Sequence, residues 1–135
     1  MTTKTTKKAE TMYVDGFVFR VPKNKTAAYK KMAREGKEAW LKFGALDYKE
    51  CKGDDLRTVG MDGKPAPLTF LKLTGVKPTE TVWFSFITFK NKAHRNAVNK
   101  KVMEHFSKEY ANVKNFVMPF DEKHMARGGF SVEVG

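Results

Sequence analysis

The stretch ETVWFSFITFKNKAHRNAVNKKVMEHFSKEY, Glu80 to Tyr110, decides the fold. Its first half, with Val82, Trp83, Phe84, Phe86, Ile87 and Phe89, is a β-branched and aromatic run free of Gly and Pro, which predicts a strand. In its second half Val98, Val102 and Phe106 recur every fourth residue, which predicts a helix. Residues 82, 84, 86 and 88 face one side of the strand and 83, 85, 87 and 89 the other. The two sets read Val-Phe-Phe-Thr and Trp-Ser-Ile-Phe, and neither suits water. The strand is therefore expected in the middle of a sheet, covered on both sides.

Upstream, Met12 to Val21 (MYVDGFVFRV) reads as a first strand, with Tyr13, Asp15, Phe17 and Phe19 on one face. Pro22 ends it, and Asn24 is placed to cap a helix over about 25–43. That helix carries the apolar stripe Tyr29, Met32, Ala33, Gly36, Trp40 and Phe43, and Gly44 is placed to end it. Residues 45–52 form a second strand with Leu46, Tyr48 and Glu50 on one face. A long Gly/Pro/Asp-rich connection, 53–79, follows. Within it Leu68 to Leu73 is expected as a short extra strand, and the whole is either a lid over a cavity or an edge hairpin. Asn91 caps the second long helix and Asp121 a short turn; Gly128-Gly129 turns the chain into a last strand, 130–134. The order is β-α-β-β-α-β, the ferredoxin-like α+β sandwich of an antiparallel sheet with two helices on one face. The uncovered face then displays aromatic and aliphatic residues, which a twofold dimer would bury.

The 135 residues suffice for one domain, taken as 12–135, behind a disordered basic tail over 1–11 without the apolar core of a secretory signal. The lone Cys51 excludes an internal disulfide and points to a reducing, cytoplasmic setting. No apolar run approaches the roughly 20 residues of a membrane span. The net charge of +11 comes mostly from Lys, with Arg only at 20, 34, 57, 95 and 127. Specific nucleic-acid contacts favour Arg, so a lysine-rich solvated surface is preferred over a nucleic-acid interface.

The segments YVDGF (13–17), GALDYKECKGDD (44–55), VWFSFITF (82–89), AHRNAVNKKVM (93–103) and MPFDEKHMARGGF (118–130) resemble an uncharacterised bacterial family, YbaA-like, of the dimeric α/β-barrel superfamily. The resemblance implies a ferredoxin-like subunit, a barrel-like homodimer and no settled activity. Its wider superfamily holds cofactor-independent monooxygenases, haem proteins, isomerases and stress-induced barrels, and fold alone does not choose among them.

The leading expectation is a barrel cavity that binds a small hydrophobic or aromatic molecule, without a cofactor. A cofactor-independent monooxygenase or isomerase is the enzymatic alternative. An RNA-recognition-type module is the second, because Phe84 to Phe89 resembles its third-strand signature and Tyr13 falls where a first-strand aromatic would. His94, His105 and His124 lack ligand spacing, so no metal is expected. The candidate residues are polar groups among apolar neighbours. Asp15, Glu50 and His94 are the candidates for proton transfer: a buried carboxylate needs a partner or a proton, and a His at a helix start favours its neutral form. Tyr13, Tyr48, Trp83, Ser85 and Arg95 are the candidates for holding a ligand.

Overall fold

The computed structural model describes residues 11–135; the expected tail, apart from Thr11, falls outside them. Four strands form one antiparallel sheet: β1 (Tyr13–Pro22), β2 (Asp47–Lys52), β3 (Glu80–Phe89) and β4 (Ala126–Ser131), in the order β2-β3-β1-β4. Three helices accompany them, α1 (Thr26–Lys42), α2 (Phe70–Thr74) and α3 (Lys92–Glu109). The protein is thus α+β, with an open sheet whose centre is β1 and β3.

The register assigns every side chain to a face. Phe19 lies opposite Trp83 and Tyr13 opposite Phe89 on β1 and β3. Together with Val21 and Ile87 they build the inner layer against α1 and α3. Phe19, Val21 and Trp83 pack with Tyr29 and Phe120, while Ile87 and Phe89 pack with Ala39, Val98 and Val102. The i, i+4 spacing that predicts α3 is therefore the spacing that places Val98 and Val102 in the core. Asn91 caps that helix as expected, its Oδ1 accepting from the His94 N–H at 2.8 Å. Gly44, at φ 116°, closes the turn after α1 in a conformation that other residues avoid.

The outer face of the sheet differs from the expectation of a strand covered on both sides. Trp83, Ser85, Ile87 and Phe89 are buried, but Phe84 is 43% exposed. Phe130 of β4 lies over Gly16 on the same outer face and is 63% exposed. The 53–79 connection covers only one end of this face. There Arg20 Nη1 donates to the Gly75 carbonyl at 2.9 Å, and Leu56 and Phe70 form a hollow with Val82 and Phe84.

Four local expectations are corrected. Leu68 to Leu73 is not a strand, because Thr69 Oγ1 caps the Lys72 N–H and Gly75 takes the left-handed conformation, together fixing the five-residue α2. Asn24 does not cap α1; it sits inside a 3-10 turn, Lys23–Lys25, and no side chain caps the helix. Gly128 and Gly129 do not turn the chain but lie within β4, opposite Gly16 and Asp15. A Cβ at 129 would fall 2.7 Å from Arg95 Nη2 and closer still to Tyr13, so the glycine is there for close approach. The connection is not a lid over a cavity between helices and sheet, since it packs on the opposite side and pairs only Val59 with Pro65 in a small hairpin-like bridge.

Candidate functional site

A cavity of about 310 Å³ lies between the inner face of the sheet and α1, at the low end of the volumes that hold small molecules. Phe17, Ser85, Ile87 and Tyr48 form its floor. Tyr29, Met32, Gly36 and Trp40 of α1 form one wall, and Phe106 and Tyr110 at the end of α3 another. The segment after α3 closes it with Phe116, Met118, Phe120 and Met125. Two charged residues belong to this apolar lining, Glu35 of α1 and, on the sheet side, Glu50. The cross-sheet row Phe17–Ser85–Glu50 places it, since Ser85 is opposite Phe17 on β1 and Glu50 on β2.

Both Glu50 oxygens are engaged. Tyr29 donates its hydroxyl to Oε2 at 2.7 Å and Tyr48 to Oε1 at 2.9 Å. Burial pushes the carboxyl above the usual range, and the two phenol hydrogen bonds pull it part of the way back. Both phenols are pushed upward in turn, first by burial and then by the Glu50 charge, so they remain donors. Gly36 lets Tyr48 come this close: a Cβ there would stand 2.8 Å from the Tyr48 hydroxyl. The result is a carboxyl whose proton affinity is raised, fixed by two donors at the edge of an apolar volume. Such a group can anchor a ligand donor or exchange a proton with one.

A second polar cluster lies on the far side of the inner face, against β4. Asp15, 8% exposed, faces Arg95 with Oδ1 3.5 Å from Nε, and its Oδ2 accepts from Asn99 Nδ2 at 3.2 Å. Arg95 Nη2 donates to the Tyr13 hydroxyl at 3.1 Å, with the guanidinium 4.8 Å from the centre of the Tyr13 ring. Asn99 Oδ1 accepts from Trp40 Nε1 at 3.0 Å, so the cluster reaches the cavity wall through one indole.

The structure therefore brings Glu50, Tyr48 and Ser85 into the cavity, and sets Asp15, Tyr13 and Arg95 together in the second cluster. Trp83 is buried beside Tyr29, with ring centres 5.0 Å apart, and among the described residues its indole N–H has no acceptor. His94 joins neither group; its ring rests on Phe89, and its Nδ1 accepts from the Lys90 N–H at 3.0 Å. Tyr29 was not among the candidates. Its signal was a hydroxyl on the apolar stripe of α1, since a buried tyrosine usually finds a partner for its polar tip. Tyr13 lies on the inner face, so it does not share a stacking platform with Phe84 and Phe86. Among the described residues no group of three or more His, Cys, Asp or Glu could hold a metal ion, and no helix is long and apolar enough to cross a membrane.

Fold and site together define a small α+β protein, with a four-stranded antiparallel sheet and an apolar cavity that holds one tyrosine-bound carboxyl. More narrowly, the chain belongs to the family described as "Protein of unknown function (DUF1428)", which matches residues 12–122. It is 39% identical over 119 residues to "Uncharacterized protein YbaA" of Escherichia coli K12, covering 87% of this chain and 93% of that one. The protein of the same name from Shigella flexneri matches to the same extent. Among solved structures, the "De novo designed protein Foldit4" aligns over 92% of this chain and 99% of its own, at a TM-score of 0.40 and 10% identity, too distant to bear on the fold.

Proposed function

We propose that this protein is a homodimeric ferredoxin-like subunit of the α/β-barrel kind that binds a small hydrophobic or aromatic molecule in the cavity beneath α1. The observation that carries the reading is the cavity itself: aromatic and methionine walls around the Glu50 carboxyl, whose two oxygens are already oriented. Apolar walls give a ligand its binding energy, and one fixed polar group gives it an orientation. The β2-β3-β1-β4 order with both long helices on one face supports the subunit architecture. The exposed Phe84 and Phe130 on the other face support the dimer, because patches of this kind rarely stay exposed on monomers.

A second reading has its own observation. The raised proton affinity of Glu50 is what a cofactor-independent isomerase needs, a carboxylate that removes a proton from one carbon of the bound molecule and returns it to another.

The test uses the neutral fluorescent probe N-phenyl-1-naphthylamine on the full chain. One probe should bind per chain, Met118→Trp should abolish binding by filling the cavity, and Phe84→Asp should leave it intact. Sedimentation at micromolar concentration should give twice the chain mass for the unmodified protein and the mass of one chain for Phe84→Asp. Probe binding that disappears with Phe84→Asp and survives Met118→Trp would move the site to the outer face and overturn the cavity reading.

A further inference from the structure

Beside the cavity, between α1 and the edge strand β2, runs a groove of about 520 Å³. The two hollows meet at Ala33, Tyr48 and Glu50, which line both. Cations line the groove from two elements, Lys30, Arg34 and Lys37 from α1 and Lys49 and Lys52 from β2. The α1 residues recur at i, i+4 and i+7, the spacing of one helix face. Lys52 follows Glu50 by two along the strand and so projects from the same side of the sheet.

Several observations separate this groove from an ordinary lysine-rich surface. First, the charge on α1 is largely sorted: Glu35 and Glu38 line a hollow on the α3 side with Glu109, Lys42 and His105, and only cations of α1, Lys30, Arg34 and Lys37, line the β2 side. A surface that serves only solubility mixes its signs. Second, the carboxylate nearest the patch besides Glu50, Asp47, pairs with Lys49 at 2.7 Å. Among the described residues Lys30, Arg34 and Lys52 make no salt bridge, and Lys37 acts on Asp47 only at longer range. Third, Trp83 lines the groove at 3% exposure, and its indole N–H, which can only donate, meets no acceptor among the described residues. A buried donor left unpaired is costly, and an anionic acceptor would relieve it. Glu50, where the two hollows meet, spends both oxygens on Tyr29 and Tyr48, which blunts its repulsion of an anion.

We infer that the ligand is an amphipathic anion: an apolar or aromatic body that fills the cavity and carries a carboxylate or similar monoanionic group held by the cations of the α1–β2 groove. The inference rests on the cavity reading above and narrows it to a ligand class. The body supplies the buried area, and the anion sets which end enters. Several partly exposed cations around one half-enclosed anion should favour it by about tenfold over a neutral ligand of the same shape, less as salt screens them.

The experiment is isothermal titration of the full chain with 1-naphthylacetate and with its neutral counterpart, 1-naphthylacetamide. The acetate should bind about tenfold tighter in dilute buffer, with the ratio shrinking as salt is raised toward about 0.3 M. In the Arg34→Gln/Lys37→Gln double variant the ratio should fall by at least half while amide affinity stays as it was. Equal affinity of the two probes for the unmodified protein overturns the anionic inference and leaves the cavity standing. An acetate preference undiminished in the double variant overturns it too, because the groove's α1 cations are then not its source. If neither probe binds, the cavity reading fails and this inference fails with it.

Discussion

Removing the Tyr29 hydroxyl isolates the interaction on which the site depends. Tyr29 is 4% exposed, and its ring packs on Phe19, Trp83 and Phe120 with centre separations of 5.3, 5.0 and 5.6 Å. Tyr29→Phe keeps that ring and its packing and deletes only the donor 2.7 Å from Glu50 Oε2. A hydrogen bond to a charged group contributes about 1.5–3 kcal/mol, and leaving its buried acceptor without a partner adds to the loss, so a cost of about 2 kcal/mol is expected. For a chain of this size that corresponds to a fall in Tm of roughly 6–10 °C.

The pH dependence gives a sharper signature. Burial holds the Glu50 carboxyl above its unfolded value, so this group lowers stability as pH rises from about 4.3 toward the folded pKa, and the penalty is constant beyond it. The Tyr29 hydrogen bond lowers the folded pKa. Tyr29→Phe must therefore raise it further and extend the falling limb to higher pH. Its cost should be larger near pH 8, where the carboxylate is charged, than near pH 4, where a neutral carboxyl loses a weaker bond of about 1 kcal/mol. Urea unfolding at fixed protein concentration across that range measures the cost, and the carboxyl 13C shift of Glu50 measures the pKa. A cost under about 0.5 kcal/mol, or one independent of pH, would mean that the hydroxyl does not bind the carboxylate in solution.

Two further outcomes test the second cluster. Asp15→Asn should retain the fold and cost about 1–2 kcal/mol in urea unfolding, less than a fully buried pair because the Arg95 side chain is 23% exposed and keeps its contact with Tyr13; no loss at all would show Asp15 and Arg95 to be independently solvated. Gly129→Ala should cost about 1–3 kcal/mol, because its methyl displaces Tyr13 and Arg95, whereas Gly128→Ala, which meets nothing nearer than the Phe130 ring at 3.9 Å, should cost clearly less; equal losses would trace the effect to the strand backbone instead.

The elements legible in the sequence were those whose local pattern and tertiary role coincide. The β-branched run of β3 and the i, i+4 valines of α3 face the core that their periodicity requires, so pattern and packing agree. Misreadings fell where a distant residue decides the local structure or where a short run was read without its caps. Gly128-Gly129 has the composition of a turn, yet the constraint on Gly129 comes from Tyr13 and Arg95, far away along the chain. The Leu68 to Leu73 run is short and apolar, which periodicity cannot assign; the caps at Thr69 and Gly75 settle it. Glu50 and Tyr48 could be paired in advance because they share a strand face. Tyr29 could not, since its partnership with Glu50 exists only once α1 is laid across β2.

The two polar clusters have different parts in the site. Glu50 faces the cavity directly, and Asp15 acts on it from behind. Trp40 forms part of the cavity wall, and its indole donates to Asn99, whose amide donates to Asp15, which is opposed by Arg95, which in turn holds Tyr13. Each link fixes the next: Asp15 accepting from the Asn99 amide leaves the Asn99 carbonyl facing Trp40, and that acceptor sets the plane of the indole ring. Tilted contacts with Tyr48 and Phe106 already orient the Trp40 ring, and the hydrogen bond to Asn99 adds a directional tie at its polar edge. α3 carries Arg95 and Asn99 on the face that would otherwise be apolar, and that is why its amphipathic pattern is weak beyond Val98 and Val102. A stretch of polar residues on the inner side of a helix is a cost to the core. Here it is spent on holding one tryptophan in position beside a carboxyl, which an inert core would not require.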